Sequence, residues 1–356
     1  MSIARPGVLI ATWRGPDKAR SVEPRSANYI LTRPRPDPPR ARVIPMNELI
    51  LHHYPPSPVS EKIRAAFGLK GLAWRSVEQN RLPDRPELFA MTGGYRRIPV
   101  LQVGADIYCD TQLIFRELEA RAPEPSFFPS GQAGLGFGLS RWVDGELFEL
   151  CVRVAFAPNV DELPPALLED RTRLYFGADG DMRREREDLP HTLAQLRAHF
   201  GWLDERLATS GAPFLLGDAA GHADLLVWYP VWFVRGRYAD SESFMGEFPA
   251  LRAWADRVGA LGHGRSTDMT PGEALAVCRD ATSATAEASD ADDPQGLAPG
   301  MHVNVAPLTR NDVERAVGGR IRAVSRERIS IARDTDECGE VVVHFPRVGY
   351  RVMPVG

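Results

Sequence analysis

Between Leu49 and Leu118 the apolar positions come in short runs, separated by prolines and small polar residues. Leu49-Ile50-Leu51-His52-His53-Tyr54 reads as a strand and Pro55-Pro56-Ser57-Pro58 as a turn. Val59, Ile63, Ala66 and Phe67 then recur at i, i+4, i+7 and i+8, the stripe of a helix that begins near Val59. Ala73 to Val77 and Val100 to Val103 follow as strands, the second led in by Ile98-Pro99. Asp110-Thr111 opens a helix that runs through Leu118. Beyond residue 130 the period stays helical: Leu139, Trp142, Val143, Leu147 and Leu150 form one stripe, Leu189 to Leu207 a second, and Leu251, Trp254 and Val258 a third. Leu225 to Phe233 is apolar on every side, which predicts a buried helix.

Ala281 to Gln295 has no large apolar side chain, and after it the period drops to two. Val303/Val305, Ile321/Ala323, Ile329/Ile331 and Val341/Val343/Phe345 alternate, with turn residues at Gly318-Gly319, Asp334 to Gly339 and Gly349. That pattern predicts a small barrel-like antiparallel β module. Five segments follow: a Pro/Arg-rich extension at 1–45, an α/β domain at 46–129, an all-helical domain at 130–270, a linker at 271–296 and the β domain at 297–356. Pro34 to Arg40 cannot form a regular helix. The extension is expected to be disordered, with Met46, directly before the first strand, as the natural start. Because Ala281 to Gln295 offers nothing apolar with which to dock tightly, residues 47–270 are expected to fold without the β module.

Composition narrows the function classes. The 356 residues are 44% hydrophobic and 25% charged, as in a soluble protein of two or three domains. A net charge of −4 excludes a general attraction to nucleic acid, and the cations are nearly all Arg, with Lys at 18, 62 and 70. That bias fits the codon usage of a GC-rich bacterial genome. The run Arg320, Arg322, Arg326, Arg328 lies among Glu327, Asp334, Asp336, Glu337 and Glu340, so it reads as a solvated face. The cysteines at 109, 151, 278 and 338 show neither CxxC nor metal-ligand spacing, so no disulfide or metal site is expected and a reducing cytoplasm is the default. No apolar run reaches the 18 residues of a membrane span.

Three places carry candidate chemistry. Ser57 stands before a helix start, where a hydroxyl caps the helix and where the dipole and unpaired N–H groups also favour an anion such as a thiolate. Ser57 or Ser60 acting as a cap alone is the plainer alternative. Pro99 at the head of an apolar strand suggests a cis bond in a tight turn, against an ordinary edge-strand proline. Thr111 is expected to cap the next helix. Arg141, Trp142, Trp228, Tyr229 and Trp232 are candidates for a pocket, with the spacing of core aromatics as well. His52 and His53, adjacent on a strand, face opposite sides and read as structural.

Ser57-Pro58-Val59-Ser60-Glu61-Lys62-Ile63-Arg64, Ile98-Pro99, Asp110-Thr111, Phe214-Leu215-Leu216-Gly217-Asp218 with Ala223-Asp224, and Phe248-Pro249-Ala250-Leu251-Arg252-Ala253-Trp254 stand in one order. Together they resemble the glutathione S-transferases over about residues 47–262. The resemblance implies an α/β thioredoxin-like domain followed by an all-α helical bundle, to which this chain adds its β module. It implies that Ser57 hydrogen-bonds the glutathione sulfur, that the Ile98 backbone before cis-Pro99 pairs with the cysteinyl backbone, that Arg97 meets the glycyl carboxylate, and that Asp110 and Thr111 hold the γ-glutamyl end. Gly221 stands where the family has a capping Ser or Thr. Glutathione as co-substrate, a small electrophilic substrate and a homodimer follow by the same implication. Ser57 in place of a cysteine argues for conjugation over disulfide reduction. The alternative is a non-catalytic binding protein that recognises a partner through the β module.

Overall fold

A computed structural model describes residues 48–309 and 311–355; the expected extension at 1–45 lies outside the described residues. The first part runs β1 (Ile50–His53), α1 (Pro58–Leu69), β2 (Ala73–Glu78), α2 (Pro86–Thr92), β3 (Val100–Val103), β4 (Asp106–Cys109) and α3 (Thr111–Arg121). This is the thioredoxin-like arrangement: β1 pairs parallel with β2 and antiparallel with β3, and β3 pairs antiparallel with β4. Helix α1 starts where it does because Ser57 caps it and Pro58, which has no N–H to waste, takes its first position. The apolar stripe read from the sequence is its buried face: Ile63, Ala66 and Phe67 are fully buried.

A helical half follows: α4 (Ala133–Trp142), α5 (Phe148–Phe156), α6 (Pro165–Phe176), α7 (Met182–Glu187), α8 (Leu189–Ser210), α9 (His222–Arg237), α10 (Ser241–Met245) and α11 (Pro249–Gly259). A π-helical turn, Val143–Leu147, joins α4 to α5. Helix α9 is buried nearly throughout, as its lack of a polar face predicts. Its Gly221 cap is explained by space: a Cβ there would lie 2.7 Å from the Phe127 carbonyl oxygen. The buried Asp224 carboxylate does the capping instead, accepting from the Gly221 and Leu215 N–H groups and from Trp254 Nε1.

The last part departs from the expected layout. After β5 (Arg265–Asp268), which joins the β2 edge in parallel, α12 (Pro271–Asp280) lies inside the segment expected to be a linker. It is capped by Thr270 and buries Ala274 and Cys278. Strands β6 (His302–Pro307), β7 (Val317–Val324), β8 (Arg328–Thr335), β9 (Gly339–Pro346) and β10 (Tyr350–Pro354) then extend the first sheet instead of standing apart. Strand β9 pairs in parallel with β4, so among the described residues ten strands run in the order β10-β6-β7-β8-β9-β4-β3-β1-β2-β5. The alternating residues predicted for the module are its buried face, and they share one core with Leu88, Met91 and Tyr95 on and beside α2, with Val100, Ile107 and Cys109, and with Cys278 of α12.

The Ser- and Thr-rich stretch after α12 docks through polar groups. Ser283 Oγ (2.6 Å), Thr285 Oγ1 (2.8 Å) and the Ala284 N–H (2.9 Å) all donate to the Asp106 carboxylate. His344 Nε2 lies 3.1 Å from the same carboxylate and its Nδ1 2.8 Å from Ser330 Oγ, with the ring stacked on Tyr108. Burial alone would raise Asp106, but His344 and the two hydroxyls outweigh it and bring the carboxyl down to about 2. An apolar-pattern reading of 281–295 misses this because the contacts are hydrogen bonds. Arg320 and Arg322 pair with Glu340 on the exposed face of β7 and β9.

Candidate active site

A cavity of about 1150 Å³ opens between the thioredoxin-like half and the helical half, and Ser57, Arg97, Ile98, Pro99, Asp110 and Thr111 all line it. Ser57 Oγ accepts from the Ser60 N–H at 3.2 Å, as a cap should. That bond uses a lone pair and leaves the hydroxyl hydrogen to donate, so capping and donation to an anion are compatible at one atom. Ser60 is fully buried, its Oγ finds no hydrogen-bond partner, and it is not among the lining residues. Of the two serines in the motif, Ser57 is the one that faces the cavity.

The Ile98-Pro99 bond is cis, and Pro99 leads into β3. Beside it, Arg97 is already engaged. Its Nε and Nη2 both bond the Glu314 carboxylate, the latter at 2.8 Å. Glu314 comes from the segment between β6 and β7, and its side chain is 2% exposed against 39% for Arg97. Asn311 Nδ2 also donates to Glu314, at 2.8 Å. Burial by itself would lower Arg97 and raise Glu314. The bond between them outweighs burial in both, carrying the guanidinium well up and the carboxyl down.

At the head of α3 the cap is Asp110, not Thr111 as expected: Asp110 Oδ1 accepts from the Gln112 N–H at 2.9 Å. A carboxylate one residue earlier reaches the second helical amide, and Thr111 becomes the first helical residue. Asp110 has φ 75, the one non-glycine positive φ among the described residues, a backbone state that costs of order 1–3 kcal/mol and clusters at functional sites. Its other oxygen, Oδ2, accepts from Tyr350 Oη at 3.1 Å, and Tyr350 Oη lies 2.7 Å from Tyr95 Oη. Burial pushes both phenols well up, so they stay protonated.

The facing wall comes from the helical half. The π-helical turn presents Asp144, whose Oδ1 accepts from Lys62 Nζ (2.8 Å) and Tyr229 Oη (2.7 Å). Lys62 is buried and sits 4.6 Å from the Tyr229 ring centroid. π-turns recur at functional sites because they re-aim side chains. At the far end Arg171 Nη2 donates to Tyr54 Oη (3.3 Å) while Arg96 and Arg171 both bond Asp170. Arg85, whose N–H groups go to three backbone carbonyls, is pushed down to about 10 by burial.

Among the aromatic and basic pocket candidates, Arg141 and Tyr229 line the cavity. Trp228 Nε1 bonds Glu61, Trp142 Nε1 bonds His199, and Trp232 packs against the core. His52 and His53 are structural, held by Gln102 and Gln79, and by Ser76 and Arg64. Sequence reasoning missed Glu314, Tyr350, Tyr95 and Asp144. Glu314 and Tyr350 lie more than 200 positions from the residues they hold, and no local pattern marks them.

Two family profiles match the chain: glutathione S-transferase, N-terminal domain, over residues 51–126, and glutathione S-transferase, C-terminal domain, over residues 182–257. Among solved structures, a GST-like protein from Pseudomonas syringae is 35% identical with a TM-score of 0.72, and the match covers 87% of this chain and 100% of that one. A share of 87% cannot be reached without residues beyond 262, so the likeness extends into the C-terminal strands. A glutathione S-transferase from Rhodospirillum rubrum (21% identity, TM-score 0.45) covers 60% of this chain and 88% of its own. A Tau class glutathione S-transferase from mango (17%, TM-score 0.46) covers 60% and 89%. No curated protein matches the chain.

Proposed function

We propose, from the premise that the chain belongs to the glutathione S-transferase family, that it is a glutathione transferase acting on a small electrophilic substrate. The observation that carries this reading is the convergence of Ser57, the cis Ile98-Pro99 pair, Asp110 and Thr111 on one cavity from three separate elements. In the proposed mechanism the γ-glutamyl end sits at the head of α3, between Asp110 and Thr111. The cysteinyl backbone pairs with Ile98. The sulfur then lies at the N-terminus of α1, where the Ser57 hydroxyl donates to it and the helix dipole favours negative charge. A free thiol has a pKa of about 8.5, and lowering it by about two units requires roughly 2.7 kcal/mol of preferential thiolate stabilisation. The thiol proton leaves to solvent and the sulfur forms a bond to the electrophilic carbon, whose displaced electron pair goes to a leaving group or an adjacent electron sink. Arg141, Phe148, Tyr175, Phe176 and Tyr229 would border the acceptor.

Retention on immobilised glutathione, followed by conjugation assays over a panel of chromogenic electrophiles, tests the reading. Ser57→Ala is expected to slow conjugation by about 10- to 100-fold, the loss of one hydrogen bond to a charged group, with glutathione affinity within a few fold. An unchanged thiolate titration of bound glutathione in Ser57→Ala removes Ser57 from the mechanism. Retention without turnover by the wild type across the panel favours a non-catalytic binding protein.

A further inference from the structure

Both groups assigned above to the ends of the tripeptide are held by the C-terminal region, one by β10 and the other by the segment between β6 and β7. Tyr350 donates to Asp110, and Glu314 takes the Nε and Nη2 edge of Arg97. Glu314 is built into the wall. It is almost wholly buried, it accepts from Asn311 as well as Arg97, and Asn311 is in turn tied to the Leu174 carbonyl of α6 at 3.1 Å. A ligand carboxylate brought to Arg97 meets a guanidinium already paired, with the buried Glu314 carboxylate as a like charge beside it. The neighbouring Arg96 is bound by Asp170 through both carboxylate oxygens. An uncharged or cationic group at that end meets no such repulsion, and a cation would find Glu314.

We propose that Glu314 is a specificity-determining residue: it makes the site select a glutathione whose glycyl carboxyl is masked, as an ester or as an amide to an aliphatic amine, over free glutathione. This rests on the reading of the cavity as a glutathione site. The C-terminal region then has a role in the cavity, since it supplies the residue that sets which thiol peptide enters.

The test is calorimetric titration of the full chain with three thiols: free glutathione, its glycyl monoethyl ester, and its glycyl amide to a diamine. The wild type is expected to bind the ester and the amine amide at least about tenfold more tightly than free glutathione. Glu314→Gln is expected to gain about tenfold on free glutathione, to leave the ester unchanged and to lose affinity for the amine amide. A wild type that binds free glutathione as tightly as the two masked forms overturns the proposal, and that comparison needs no variant to fold. So does a Glu314→Gln chain with the wild-type order of affinities. Binding of none of the three by the wild type overturns the glutathione reading itself, and this inference with it.

Discussion

The two ends of the cavity are built in opposite ways. At the head of α1, the cap made by Ser57 closes within four residues, Ser57 to Ser60, and its helix is specified by a proline at the first position and an apolar stripe. At the end formed by Arg97 and Asp110, the side chains are set by partners 217 and 240 positions away. A locally closed motif survives wherever its helix forms. A distant contact exists only if the whole sheet assembles in register, since slipping β9 by one residue on β4 would turn Val343 and Phe345 out of the shared core. The proposed thiol chemistry therefore rests on residues set early in the chain, and the proposed selectivity on residues set late.

Removing 281–356 breaks the comparison most severely. It exposes the β4 edge together with Val100, Ile107, Cys109 and the core face of α12. The shortened chain is expected to be insoluble or to lose cooperative melting by circular dichroism. A soluble 46–280 chain with the wild-type melting temperature would show that the two ends are independent after all.

Asp106→Ala strikes the junction more narrowly. It leaves His344, Ser283 and Thr285 facing a buried gap and is expected to cost about 3–5 kcal/mol of stability in urea unfolding. A loss under about 1 kcal/mol would mean that the apolar core alone holds β9 to β4.

Acid separates the two halves by the partners of their buried histidines. His52, held by neutral amides, is pulled down to about 4, chiefly by burial and against the Gln102 hydrogen bond that raises it. Its folded value lies below its unfolded value of about 6.5, so the unfolded chain binds the proton first. Stability is whole above pH 6.5 and falls as the pH drops towards 4, by about 3 kcal/mol. Asp106 acts lower: its contribution is whole above the ordinary carboxylate value and goes as the pH falls through about 2. Urea unfolding between pH 7 and 4 should decline in the wild type and less steeply in His52→Gln, the decline that remains belonging to His53 and His222, which burial lowers to about 3. An equally steep decline in that variant would assign the effect elsewhere.

The mildest change sharpens the comparison. Tyr350→Phe removes one hydrogen bond to Asp110 and is expected to weaken binding of the preferred thiol peptide by about 1 kcal/mol, with the thiolate titration unmoved. A shifted titration would show that the two ends are coupled.

Much was legible in residue order. The strand–turn–helix opening, the cis proline, the buried α9 and the alternating positions of β6 to β9 follow from periodicity and from what proline and apolar side chains tolerate, and these are local constraints. Ser57 was readable as a helix cap because the cap closes on an amide three positions on, within the first turn. The docking of 281–295 was not legible because Ala, Ser, Thr and Asp have the composition of a linker whether they face water or a buried carboxylate, and Asp106 comes within reach only when the sheet assembles. For the same reason Thr111 was expected as the cap until the backbone at Asp110 turned to positive φ. Residue order dictates which elements form and which of their faces are apolar, since both depend on neighbours a few residues apart. That the last five strands continue the first sheet and that Glu314 meets Arg97 follows only from the assembled fold, because pairing across more than 200 residues is selected by register and burial, and no stretch of sequence carries that information alone.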